Sequence, residues 1–135
     1  MSKDTDYYRA AANQAKARAQ ALESEKKQVQ GELERLEAAR KKLAKEIESY
    51  SRFKKSVDKI GSDTDKTKFH GNVRSKFDTK LSSIGTKMNS FQNSQEANLS
   101  KLDLEIAAKK LKVFDLAGAI GSAWQSFSDF MASIF

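Results

Sequence analysis

The chain has 135 residues, with 25 Lys and Arg against 18 Asp and Glu, one His, no Cys and no Pro. This length suits a single domain. The missing Cys excludes a disulfide framework and a thiolate metal site, and one imidazole excludes a His-rich site. Because Pro breaks helices, its absence favours long uninterrupted helices.

The first half of the chain reads as one long helix. Apolar side chains recur there at alternating intervals of three and four residues, which is the spacing of a coiled-coil seam. Asp4 or Thr5 is placed to cap the start. We predict helix one over about residues 5–60, with this seam: Tyr8, Ala12, Ala15, Ala19, Leu22, Lys26, Val29, Leu33, Leu36, Arg40, Leu43, Ile47, Tyr50, Lys54 and Val57.

A polar turn follows at residues 61–65, where Gly61 can take a left-handed cap and Ser62 to Asp65 are turn and cap residues. Helix two is expected from about residue 65. Its apolar track is predicted as Phe69, Val73, Phe77, Leu81, Ile84, Met88, Phe91, Gln95, Leu99, Leu102, Ile106, Lys109, Val113, Leu116 and Ile120. We therefore predict an all-α fold, a long antiparallel coiled-coil-like hairpin over residues 1–112.

The last 23 residues, 113–135, contain no Lys or Arg and read as an amphipathic apolar C-terminal helix that extends the hairpin. Asp115 and Asp129 make spontaneous membrane spanning costly, about 2.5–3.5 kcal/mol for each central Asp. The first interpretation is a helix for binding a partner or for self-association; the alternatives are a core for this same domain and membrane insertion. The predicted interface is Leu116, Ile120, Trp124, Phe127, Phe130 and Met131.

Nothing in the pattern predicts catalysis. His70 lies near the turn without a rigid pocket for a triad, and the carboxylates alternate with Lys along helix faces. Gly118 to Gly121 is followed by no Lys, so a phosphate-binding loop is excluded. Basic residues are spread over residues 1–112 rather than gathered in a block, so we predict no nucleic-acid partner. We predict a protein that is not an enzyme, with no cofactor and no metal.

One motif points to a family. Phe69-His70-Gly71 stands between the two predicted helices, and Phe77 follows six residues after Gly71. Together with the Lys- and Leu-rich stretch LERLEAARKKLAKEIESY at residues 33–50, this plan resembles the WXG-type (ESAT-like) small helical proteins of bacterial type VII secretion. It looks most like the branch associated with LXG polymorphic toxins. Phe69 stands where the family has Trp.

The resemblance implies a non-enzymatic partner, targeting factor or co-secreted component of a type VII substrate, an LXG-type toxin. Phe69, Gly71 and Phe77 would shape the turn, and a second small helical protein is a further expected partner. The chain lacks a Tyr-x-x-x-Asp/Glu export signal after helix two and an apolar Sec signal near residues 1–18. We expect a bacterial cytoplasmic location before export with a partner. The alternatives are a homo-oligomeric coiled-coil scaffold and a membrane-active protein that uses the C-terminal segment.

Overall fold

The described part of the chain forms two long helices. We describe residues 3–63 and 71–135 of a computed structural model, in which α1 covers Lys3–Asp63 and α2 covers Gly71–Ile134. No strand occurs in these two ranges, which confirms the predicted all-α helical hairpin. Helix one therefore ends at Asp63, three residues later than predicted. The predicted start of helix two near residue 65, together with Phe69 and His70, lies outside the described residues.

The residues fall into two compact units, each built from a piece of both helices. The terminal unit comprises Met1–Glu37 and Leu104–Phe135, and the middle unit comprises Ala38–Asp103. In the terminal unit Tyr8 meets Phe130 and Glu32 meets Lys109. In the middle unit Arg40 pairs with Asp103, Tyr50 contacts Phe91, and Arg74 reaches the carbonyl of Gly61. Contacts of early with late residues mean that the two helices run antiparallel within each unit.

The predicted seam of α1 is confirmed position by position. All fifteen predicted seam residues are buried or half-buried. Among them Ala12, Ala15 and Ala19 are buried with Val29, and their small side chains allow the large residues of α2 to approach closely. Lys26 and Lys54 are half-buried, consistent with long aliphatic stems that lie along the seam while the charge reaches water.

The predicted seam of α2 is wrong at three positions. Val73, Ile84 and Phe91 are exposed, and the neighbouring Arg74, Gly85 and Gln92 take the inward positions instead. From Gly85 through Met88 and Gln92 to Ile120, the observed spacing is a strict alternation of three and four. Heptad geometry thus outweighs side-chain polarity, because a helix cannot shift its inward face by one residue without a local phase change.

The predicted C-terminal helix is not a separate element. Residues 113–134 are the last part of α2, which continues without a break to Ile134. The three-and-four spacing simply persists through Val113, Leu116, Ile120, Ala123 and Phe127, all of which are buried or half-buried. No helix within the described ranges is long and apolar enough to cross a bilayer.

At the start of α2, the backbone conformation explains why residue 71 is a glycine. Gly71 has φ +78°, the only positive φ among the described residues, and this conformation is easily reached only without a Cβ. Gly61, predicted as a left-handed cap, instead lies inside α1. A Cβ at Gly61 would come 2.7 Å from Cδ2 of Leu81, so this glycine allows α1 and α2 to approach closely.

Removal of residues 113–135 is expected to unfold more than those residues. Residues 113–135 belong to the same compact unit as the buried Ala12, Ala15 and Ala19. Without residues 113–135 these small side chains lose the helix that covers them, and the start of α1 would lose its tertiary packing. Circular dichroism at 222 nm should show a loss of helix that exceeds the removed segment. A loss in proportion to the removed length would contradict this.

Two glycines should respond to alanine in opposite directions. At Gly85 a Cβ meets nothing within 4 Å, so Gly85→Ala should raise the free energy of unfolding by about 1 kcal/mol through helix propensity. At Gly71 the same change should lower it, because Ala is strained at φ +78°. Urea unfolding of both variants beside the unchanged chain measures the two effects. A stabilised Gly71→Ala variant would refute the backbone assignment.

Candidate interaction surfaces

The six residues predicted as a partner interface are all buried or half-buried, and Trp124 and Phe130 contact Glu23 and Tyr8 of α1. Leu116 is buried, and Ile120, Trp124, Phe127, Phe130 and Met131 are half-buried. Trp124 Nε1 donates a hydrogen bond of 2.7 Å to Oε1 of Glu23, and its ring meets Phe127 edge-on at 5.6 Å. Trp124 and Phe130 therefore pack within the hairpin, as the alternative interpretation expects, and the partner interface at these six residues stays a prediction.

Only part of the predicted turn motif falls within the described residues. Phe69 lies outside the described residues, whereas Gly71 begins α2 and Phe77 is half-buried on the inward side. The guanidinium of Arg74 lies 5.6 Å from the centre of the Phe77 ring. Arg74 also donates to the carbonyl oxygen of Gly61 and forms an ion pair with Asp78 at 3.0 Å. Arg74 thus ties the first turn of α2 to the end of α1.

The middle unit has an exposed apolar side. Its five exposed large apolar side chains are between 47% and 64% exposed, and we call them the side face: Phe53, Ile60, Val73, Ile84 and Phe91. Phe53 and Ile60 are seven residues apart on α1, as are Ile84 and Phe91 on α2, so each pair shares one edge of its helix. The ring of Tyr50 links the two edges, 6.4 Å from Phe53 and 4.9 Å from Phe91.

Two lysines lie in the same row as the apolar residues of α2. Val73, Lys80, Ile84, Lys87 and Phe91 follow one another at intervals of seven, four, three and four, and all five are exposed. Beside this row, a cavity of about 340 Å³ opens between the two helices. Its lining includes Leu43, Ile47, Tyr50 and Phe91. The side face therefore combines apolar side chains, flanking positive charge and a recess large enough for one side chain.

The net charge of the protein is confined to the middle unit. Residues 38–103 contain 15 Lys and Arg against 8 Asp and Glu, a net charge of +7, which equals that of the whole chain. The terminal unit contains ten of each sign and is neutral. The sequence alone suggested a basic hairpin with an acidic tail; the packing of the tail against residues 3–37 changes that division. An acidic partner is thus attracted to the middle unit.

A second exposed apolar row lies on the terminal part of α2. Leu104, Leu111 and Phe114 are between 61% and 76% exposed. Gly118 and Gly121 continue this row at three-and-four spacing, and nothing lies within 4 Å of a Cβ built at either position. This row, with Ala107, points away from the inward residues Ile106, Val113 and Ile120.

Each of the two units contains an ion pair that joins α1 to α2. Lys109 Nζ and Glu32 Oε2 are 2.7 Å apart in the terminal unit, and the hydrogen bond and charge of Lys109 lower the pKa of Glu32 below its ordinary value. In the middle unit Asp103 accepts a hydrogen bond from Arg40 and raises the pKa of that guanidinium. These pairs are partly exposed and favour the observed register more than they add stability.

The described side chains offer no cluster for a metal ion. Among residues 3–63 and 71–135, no group of three or more His, Cys, Asp or Glu side chains is placed to hold a metal ion. His70, the only imidazole, lies outside that part of the chain. The larger groove, about 670 Å³ in the terminal unit, is lined mainly by Ala and Ser with Tyr7, Arg18 and Phe130.

Comparisons with known proteins add no assignment. No family model matches this sequence, and no curated protein matches it at a significant level. The side face of the middle unit and the exposed row on α2 are therefore the features on which a functional proposal can be built. Sequence reasoning missed the side face because it assigned Val73, Ile84 and Phe91 to the seam; a strict heptad drawn in both directions from Met88 identifies them as exposed.

The Glu32–Lys109 pair should make stability depend on pH. Since the pKa of Glu32 is lower in the folded chain than in the unfolded one, the stabilisation is present above pH of about 4.5 and is lost as pH falls through the lowered value. Glu32→Gln should therefore reduce the difference in urea midpoint between pH 7 and pH 3. Glu34→Gln, an exposed position two residues away, serves as the control. Equal reductions in the two variants would argue against the pair.

Proposed function

We propose that this chain is a non-enzymatic binding protein that pairs its side face with a helix of a larger protein, an LXG-type substrate of type VII secretion. It would act as a targeting factor or co-secreted component for that substrate. The observation that carries the proposal is the row of apolar side chains one position off the seam. Phe53, Val73, Ile84 and Phe91 remain exposed although the half-buried inward positions beside them hold Lys54, Arg74, Gly85 and Gln92, in that order.

Such a row is costly for a chain that acts alone. Exposed apolar clusters of this kind mark protein-binding surfaces or aggregation sites, and exchanging each residue with its inward neighbour would bury it. The face offers two parallel edges with Tyr50 between them and a recess beside Phe91. An amphipathic helix laid along it would place apolar residues at i, i+3 or i+4 and i+7 on this surface.

Charge specifies the partner helix further. The lysines at positions 80 and 87 flank the apolar row, and the unit carries all the net positive charge. The matching helix has Asp or Glu beside its apolar stripe. Electrostatic attraction of this kind accelerates association and excludes basic competitors. The choice of an LXG-type substrate comes from the sequence resemblance of residues 33–50, Phe69-His70-Gly71 and Phe77 to the type VII small helical proteins.

The test is co-purification with the helical N-terminal region of an LXG-type protein encoded beside this chain. The unchanged chain should form a stable complex, and Phe53→Ser combined with Val73→Ser should lower the affinity at least about tenfold, because two exposed anchors are lost. Both side chains are more than half exposed, so the hairpin should keep its helix content. Isothermal titration calorimetry and circular dichroism measure the two quantities.

Phe114→Ser is the matched control. It also removes an exposed aromatic side chain, but from the terminal unit. The proposal predicts unchanged affinity for the LXG-type region in this variant. Equal weakening by Phe114→Ser, or no weakening by the double variant, would place the contact outside the side face. An absence of any complex would contradict the proposed partner class.

A further inference from the structure

α2 carries a second seam on the side opposite the first. Leu104, Ala107, Leu111, Phe114, Gly118 and Gly121 alternate by three and four, which gives 2.5 heptads of a and d positions. All six residues are exposed, and together they span about 26 Å of helix at 1.5 Å per residue. The structure assigns this outer seam to a second copy of the same chain, packed antiparallel along α2.

The order of large and small residues selects that partner and direction. In an antiparallel heptad pair, an a position of one helix shares a layer with a d position of the other. The six layers then join Leu104 with Gly121, Ala107 with Gly118 and Leu111 with Phe114, each twice by symmetry. Large residues meet each other only in the two central layers, and glycine faces Leu104 or Ala107 toward both ends.

A parallel pair does not fill the seam in this way. It would stack Phe114 on Phe114 and Gly118 on Gly118, so that bulky layers hold the helices apart while adjacent layers remain empty. Voids of that kind cost contact energy. The antiparallel pair is also isologous, since the same residues of both copies meet around one two-fold axis.

Charge also favours a second copy at this place. The terminal unit is neutral, so two copies approach without net repulsion, whereas the middle unit at +7 repels itself. The outer seam and the side face therefore suit different partners, and this inference does not depend on the identity of the secretion substrate.

The lack of Cys allows a direct test by cross-linking of the full chain. Ala107→Cys and Gly118→Cys are both exposed positions on the outer seam. The register predicts that a mixture of the two variants forms a disulfide-linked dimer under mild oxidation. Each variant alone should not, because its two thiols would be about 16 Å apart along the axis. Efficient cross-linking of Ala107→Cys with itself would overturn the antiparallel register.

Sedimentation velocity over a range of protein concentrations is the second test of the dimer. The unchanged chain should show a reversible dimer, and Phe114→Ser should raise its Kd at least about tenfold, since each dimer loses two buried rings. Phe53→Ser, on the side face, should leave the dimer Kd unchanged. A chain that stays monomeric at high concentration, or equal effects of the two variants, would overturn the inference. The inference would also be overturned if the chain bound lipid vesicles through Phe114 and did not self-associate.

Discussion

Two helices that pack antiparallel share one narrow seam, and every other property of this protein follows from that limit. Each helix covers only one stripe of its partner, so an apolar residue outside the stripe remains in water. The core is accordingly thin: its eight buried residues include four alanines, and no polar residue is buried in the described chain. A hairpin of this kind gains stability from length and close approach rather than from a wide interior.

Because each helix covers only one stripe of the other, most of the exposed large apolar residues fall into two groups. On the middle unit they line one side of both helices and are joined by Tyr50. On the terminal unit Leu104, Leu111 and Phe114 form a row on α2, continued by Gly118 and Gly121, while Tyr7 and Phe135 are exposed outside this row. The charges divide in the same way, with +7 on the middle unit and a neutral terminal unit. Different surfaces with different charge are suited to different partners.

Periodicity was enough to predict the fold, since the complete seam of α1 follows from three-and-four spacing. The same method failed at Val73, Ile84 and Phe91, because it assigned apolar residues to the inside, whereas the half-buried Arg74, Gly85 and Gln92 take the inward positions there. It also treated residues 113–135 as a surface for others, since an apolar stripe does not specify which helix covers it. Only the pairing of Tyr8 with Phe130 and of Glu23 with Trp124 shows that α1 does so.

Hydrogen–deuterium exchange of the chain with and without the LXG-type region tests the central claim most directly. If the side face is the contact, amide exchange should slow in residues 50–60 and 73–91 on complex formation, while residues 104–121 keep their rates. Exchange that slows only in the terminal unit, or in no segment, would contradict a function based on the side face.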